Sequence, residues 1–302
     1  MILLTGADGF VGSATRQVAR QAGLTIRSAT HTQKHGDVAV DILRPETLDR
    51  AMQGVSTVIH AAGAAHVFRA TRDSEDWLRR TNVDGTREVV AAARRAGVGH
   101  VVIVSSVSAS NPSDVYGQSK LDGERAAVAE AGPGMTLTIL RLATLYGEGD
   151  RGNVLRLVRT LDNGRFVWIG DGSNEKSLIY RLDAAEAIVA AAQVRREGTF
   201  TVSAPPVRMR EVVTAIAAAL GRRVPRLKVN RAVASAAAHL FSVLTMHSNR
   251  AAAIERTIAK WCSDDVHDGS NFSSVFGVTP SVPLADGIAR EVAWYRSSSV
   301  RV

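Results

Sequence analysis

Short apolar runs alternate with longer stretches whose apolar residues recur at helical spacing, and the alternation holds through the first half of the chain. Ile2 to Leu4, Thr25 to Ser28, Val38 to Val40, Thr57 to His60, Val101 to Ser105 and Thr136 to Leu140 read as strands. Strands separated by helical patterns predict an α/β fold, a doubly wound parallel sheet with helices on both faces. Past Tyr146 the pattern changes to loops bearing Gly and Asp, short strands and Ala-rich helices. The expected division is one sheet domain over 1–147 and a smaller C-terminal α/β region over 148–302, with about 177–195 returning to the sheet.

Composition narrows this picture without changing it. At 302 residues and 45% hydrophobic, the chain can bury one large core or one and a half domains. No apolar run reaches the roughly 20 residues of a membrane span. The nearest, Ala232 to Met246, is Ala-rich and broken by Ser235, His239 and Ser242, and it reads as a packed helix. The first residues already form a core strand, which leaves no room for a signal peptide. A single cysteine, Cys262, forbids an internal disulfide and fits a reducing cytoplasm. The net charge of +8 invites a nucleic-acid partner. However, the Arg residues are expected on solvated helix faces, interleaved with acids, with a few left for phosphorylated ligands, so no nucleic acid is expected. No His, Cys and Asp cluster has metal-ligand spacing, so no metal is expected.

Two local patterns carry chemistry. The first strand runs directly into Gly6-Ala7-Asp8-Gly9-Phe10-Val11-Gly12, and helical spacing follows through Val18 and Ala22. Glycines so placed tighten the turn, let backbone N–H groups approach a pyrophosphate at a helix N-terminus, and let helix and strand pack closely. Strand, turn, helix and second strand fall in the order a dinucleotide site needs. The second pattern begins where a strand ends in Ser105-Ser106. Ten residues on, Tyr116-Gly117-Gln118-Ser119-Lys120 opens a helix. Tyr116 and Lys120 share a helix face, so the ammonium can favour the phenolate, and a serine opposite lets the pair exchange a proton with an alcohol or ketone.

These motifs, with Asp41-Ile42, His60-Ala61-Ala62-Gly63, Asn82-Val83-Asp84-Gly85-Thr86 and Leu140-Arg141 leading to Tyr146-Gly147, resemble the extended short-chain dehydrogenase/reductases. Within them the likeness is to the nucleotide-sugar epimerases, dehydratases and reductases. The resemblance covers nearly the whole chain and implies a Rossmann sheet holding NAD or NADP. It implies that Gly6, Gly9, Phe10, Val11 and Gly12 line the pyrophosphate. Asp41 would bind the adenine amino group beside Ile42, and Ala61, Ala62 and Gly63 would line the ribose path. Tyr116 and Lys120 would contact the cofactor as well as the substrate. Asn82 has two readings, a cap for the next helix and a tie between active-site strands. Of the serine pair the resemblance picks Ser106. The gap to Tyr116 is shorter than is usual, and Ser105 and Ser108 stay as alternatives, with Ser108 also a candidate substrate contact.

The second strand ends in Ala29-Thr30-His31 with no acid for a ribose 2′-hydroxyl, and Lys34 lies just beyond. His31 falls where phosphate-selecting relatives carry arginine, which leans the cofactor toward NADP(H). Asn153 and Lys176 match positions that hold the diphosphate of a nucleotide-diphosphate sugar, UDP-linked in the resemblance. Val107-Ser108 stands where dehydratases carry two carboxylates, which argues against 4,6-dehydration. Three functions therefore stay open: a UDP-hexose 4-epimerase, an NADPH-dependent 4-keto-sugar reductase, and a non-catalytic dinucleotide-binding protein. The helical stretches Glu75 to Ala96 and Val115 to Ala131 resemble the pair that builds a homodimer interface in relatives.

Overall fold

The computed structural model describes residues 1–32, 37–65, 71–230 and 261–298. Lys34 and the Ala-rich run from Ala232 to Met246 lie outside these. The chain divides into two units. One comprises Met1–Leu145, Ile179–Ala204 and Asp268–Ser281, and the other comprises Tyr146–Leu178, Pro205–His267 and Val282–Val302.

The first unit is the expected doubly wound sheet. Its strands are β1 (Ile2–Thr5), β2 (Ile26–Thr30), β3 (Val38–Ala39), β4 (Thr57–His60), β5 (His100–Ser106), β6 (Thr136–Leu142) and a seventh, Gly198–Val202. All pair in parallel, in the order Gly198–Val202, β6, β5, β4, β1, β2, β3. Every residue of β1 and β4 is buried, as a sheet covered on both faces requires. Alternate residues serve opposite faces. Leu4, Ile59, Val102 and Leu140 pack with Ile188 of the helix Arg181–Gln193, against which α1 (Phe10–Gln21) lies. Leu3, Val58, Val101 and Ile139 pack with Leu48 of α2 (Pro45–Ala51) and Val89 and Val90 of α4 (Gly85–Arg95). Each such side chain contributes about 1.5–3 kcal/mol when fully buried.

The sequence did not announce the edge strand Gly198–Val202. Its Phe200 and Val202 join the core, and the Phe200 ring meets Phe276 edge-on at 5.0 Å. This unit also holds α3 (Arg72–Arg79), the helix Ser270–Phe276 and α5 (Val115–Glu130), the last of which carries much of the chemistry described below.

In the second unit the helices Asn153–Asp162, Met209–Ala219 and Leu284–Ser297 pack together around Val158, Leu161, Ile216, Ile288 and Val292. Two short strand pairs accompany them: Glu175–Lys176 with Val207–Arg208, and Trp168–Ile169 with Lys228–Val229. A fully buried acid, Glu291, sits among the apolar residues. One oxygen accepts the Gly147 N–H at 2.9 Å, whereas the other, Oε1, has no partner. Burial, with Asp150 adding to it, pushes this carboxyl up to about 9.

Candidate active site

The end of β5 brings Ser105 and Ser106 to the carboxyl edge of the sheet. Downstream, the Asp114 carboxylate accepts the Gly117 N–H at 2.7 Å and caps α5, which fixes where Tyr116 and Lys120 stand on their first turns. The Ser106 hydroxyl hydrogen-bonds the Tyr116 phenol and also accepts the Ser108 N–H at 3.2 Å. Lys120, one turn from Tyr116, donates to the Val104 carbonyl at 2.8 Å. Ser105 is buried and donates instead to Glu124 at 2.5 Å. Glu124 in turn receives a bidentate grip from Arg141, with contacts of 2.6 and 3.0 Å. Of the three serine candidates, Ser106 is therefore the one whose hydroxyl meets Tyr116.

The electrostatics depart from expectation in one respect. Lys120 was expected to favour the phenolate, yet in this structure burial pushes the Tyr116 phenol above its ordinary range. The Ser106 hydrogen bond opposes that rise, and Asp114 adds to it. Burial also lowers the Lys120 amine to about 8, with Glu124 opposing the fall. Desolvation is the largest influence on both groups.

Behind them His60 is lowered to about 3 by burial and then by the Lys120 charge, so it is a neutral ring. The Thr86 hydroxyl gives its proton to the Asn82 carbonyl at 2.7 Å, so it can only accept from His60 Nε2 at 3.1 Å. His60 Nδ1 then accepts from Thr5 at 2.8 Å, which assigns the tautomer.

Asn82 does not cap the next helix. It sits in a π-helical turn, Arg80–Asp84, and α4 starts at Gly85, with Asp84 before it making no side-chain cap bond. Its buried amide accepts the Ala64 N–H at 2.8 Å and donates to the Ala64 carbonyl at 3.0 Å and to Ser119 at 2.9 Å. Ser119 lies between Tyr116 and Lys120 and donates to the Tyr116 carbonyl at 2.8 Å. The asparagine thus ties the segment after β4 to α5, a strand end to a helix and not one strand to another.

Strand order reverses at β1, which lies between β2 and β4, and ligands of open α/β sheets bind at such a point. Gly6 there has φ +69°, and a Cβ on it would stand 2.6 Å from the Ala62 backbone. Gly12 packs its bare Cα against the Gly6 carbonyl. Gly9 is exposed and starts α1 with no side-chain cap, which leaves first-turn N–H groups beside half-buried Phe10 and Val11 for an anion. Ala61 and Ala62 are half-buried, and a Cβ on Gly63 would be 3.8 Å from Lys120 Nζ. These residues fit the close backbone approach that a dinucleotide needs.

Other candidates are placed as follows. His31 is exposed immediately past β2, and the buried Thr30 hydroxyl before it has no partner. The Asp41 carboxylate serves its own turn, accepting the Leu43 N–H at 3.0 Å and lying 3.4 Å from Arg44, while Ile42 packs against Gly85. Arg181 was not anticipated. Its guanidinium donates to Ser13 at 3.0 Å and lies 5.5 Å from the Phe10 ring centroid, beside the glycine turn. No local sequence signal links residues that distant.

In the second unit Asn153 opens its helix and is half-buried. Lys176 is buried and donates to the Ser263 carbonyl at 2.7 Å, so the cation expected for phosphate is engaged by backbone. Cys262 is partly buried against Ile169. Among the described residues no three His, Cys, Asp or Glu side chains are grouped to hold a metal, and no helix is long and apolar enough to cross a membrane.

Known proteins resemble this chain at several levels. The model of the NAD dependent epimerase/dehydratase family matches residues 2–202. The N-acetyl-alpha-D-glucosaminyl-diphospho-ditrans,octacis-undecaprenol 4-epimerase of Escherichia coli O157:H7 is 28% identical, over 97% of this chain and 94% of that protein. The 2-alkyl-3-oxoalkanoate reductase of Stenotrophomonas maltophilia is 26% identical, over 96% and 97%. Among solved structures, MoeE5 in complex with UDP-glucose and NAD superposes with a TM-score of 0.73 at 26% identity, covering 98% of each chain. UDP-N-acetylglucosamine 4-epimerase from Bacillus cereus, at 19% identity and a TM-score of 0.76 over 99% and 97%, shares the fold.

Proposed function

The chain belongs to the NAD dependent epimerase/dehydratase family, and from that premise we propose that it is an NAD(P)-dependent epimerase acting at C4 of a diphosphate-linked hexose, UDP-linked in the first instance. The observation that carries this reading is the Ser106 hydroxyl bonded to Tyr116, one helical turn from Lys120, at the end of β5. When bound, the nicotinamide supplies a hydride acceptor and donor at C4. Ser106 holds the C4 oxygen, and Tyr116 takes the hydroxyl proton as the ketone forms and returns it after the sugar turns over. Burial raises the free phenol, so bound cofactor and substrate have to offset that cost before Tyr116 can take this proton. Lys120 holds the nicotinamide ribose, with Gly63 bare beside it. Asn153 is our candidate for the sugar's diphosphate, whereas Lys176 is engaged by the Ser263 carbonyl.

Reduction of a 4-keto sugar by NADPH is the second reading. It is favoured by the β2 end, where His31 stands exposed and Ala29-Thr30-His31 holds no acid for a 2′-hydroxyl. To separate the two, the purified protein is denatured and its nucleotide identified. Native protein is then given UDP-hexoses without added cofactor and followed by NMR. Released NAD with inversion at C4 supports the epimerase, and an empty protein that inverts nothing but oxidises NADPH with a 4-keto sugar supports the reductase. The E. coli relative acts on a polyprenyl diphosphate sugar. That carrier forms a further arm of the same assay.

We also assign the protein to the cytoplasm as a homodimer joined through α3, α4 and α5, where Trp77, Val115 and Val128 are 50%, 40% and 60% exposed. Light scattering is expected to give twice 32.2 kDa, and Val128→Glu to halve it. A monomeric parent would contradict this.

A further inference from the structure

Cations are not spread evenly among acids along this chain. From Arg222 to Lys260 there are eight Lys or Arg and one acid, Glu255, so these residues supply seven of the eight net positive charges. The described start of the segment follows the helix Met209–Ala219. There Arg222, Arg223, Val224, Arg226, Leu227 and Lys228 are all exposed, Leu227 to 64%. Arg222 pairs with Asp162, but among the described residues no carboxylate or side-chain hydrogen bond holds Arg223, Arg226 or Lys228.

The strip is displayed on a firm support. Trp168 Nε1 donates to the Pro225 carbonyl at 2.8 Å, the Trp168 N–H donates to the Leu227 carbonyl at 2.9 Å, and Lys228–Val229 pairs with Trp168–Ile169. Further along the sequence, Ala232 to Met246 contains no Asp, Glu, Lys or Arg, and Arg231 and Arg250 flank it.

Unpaired cations interleaved with exposed aliphatic side chains match one kind of surface, anionic outside and apolar just beneath. That is the headgroup region of an acidic bilayer. Nucleic acid offers phosphates, but its bases are held by aromatic or planar stacking, and the strip from Arg222 to Asn230 contains no aromatic residue. We propose that the exposed strip Arg223–Lys228 docks this protein on an anionic lipid surface. The proposal stands apart from the reaction assigned above, and its readout is binding.

The test is co-sedimentation of the full chain with vesicles of phosphatidylcholine alone or of phosphatidylcholine containing about a third phosphatidylglycerol. The anionic vesicles are expected to bind at least about tenfold more tightly, and the difference to shrink as salt rises. Each cation near such a surface strengthens binding by on the order of fivefold. The triple variant Arg223→Glu, Arg226→Glu, Lys228→Glu should therefore lose about a hundredfold, and Leu227→Ser should weaken what binding persists at high salt. Circular dichroism and thermal melts check that the variants fold, while the salt response of the unmodified protein tests the idea without them. Equal binding to both vesicles, no binding, or a folded triple variant that binds like its parent would overturn the proposal. So would duplex DNA that binds as tightly and strips the protein from the vesicles.

Discussion

At Tyr116 two opposing influences meet, burial raising the phenol and the Ser106 hydroxyl lowering it. Removing the hydroxyl in Ser106→Ala leaves burial unopposed, and turnover should fall about 10²–10⁴-fold with cofactor binding retained, as steady-state rates and nucleotide titration would show. Lys120 sets the alkaline side. Its ammonium is complete below about 8 and is lost as pH rises through that value. The rate should therefore decline above pH 8, and Lys120→Arg, charged throughout, should remove that decline from whatever rate it keeps. Glu291 gives a sign that is easy to check. Its folded value, about 9, stands above the ordinary 4.5, so its contribution to stability is full below about 4.5 and is lost as pH rises through 9. Melts from pH 5 to 9 should fall by up to about 1.4 kcal/mol per pH unit in the parent and much less in Glu291→Gln. Parallel slopes would refute the assignment. Ser106, Tyr116 and Lys120 were readable in the sequence because their relation is local, a strand end and one helical turn. The Ser263 carbonyl on Lys176, the Ser13 contact of Arg181 and the burial of Glu291 join distant segments and leave no such trace.

The element that matters most is α5, because it carries both Tyr116 and Lys120. Three contacts place it: the bare Cα of Gly123 against the Asn82 carbonyl, the Asn82 amide on Ser119, and the Glu124 carboxylate on Arg141 of β6. A methyl group in Gly123→Ala has no room, so the helix must shift. A loss of about 1–3 kcal/mol by denaturant unfolding is expected, with reduced kcat, although residue 123 touches no reacting atom. Glu124→Ala strands a half-buried guanidinium and the Ser105 hydroxyl, and a cost of about 1–3 kcal/mol is expected. Helix and strand identities through β6 followed from apolar periodicity, since a sheet buried on both faces writes itself as apolar runs. The edge strand Gly198–Val202 escaped notice because its Gly-Thr-Phe-Thr-Val alternation is half-buried and short. The π-helical turn at Arg80–Asp84 escaped for a different reason, since its geometry serves the Asn82 contacts.

For the whole molecule, the first unit supplies the sheet, the glycine turn and the candidate proton-transfer residues, while the second holds the candidate diphosphate contacts, the buried Glu291 and the basic strip. The first was largely readable from sequence, because a dinucleotide fold repeats one supersecondary unit. The second was not, since its short strand pairs and buried polar contacts depend on tertiary packing. The central claim is that Tyr116 moves the proton, and the most direct measurement is turnover by Tyr116→Phe alongside its retained nucleotide. A loss of at least about a hundredfold in kcat, with nucleotide content and melting temperature unchanged, is the predicted result. Undiminished turnover in a folded, nucleotide-loaded variant would contradict it and leave the chain a dinucleotide-binding protein of another kind.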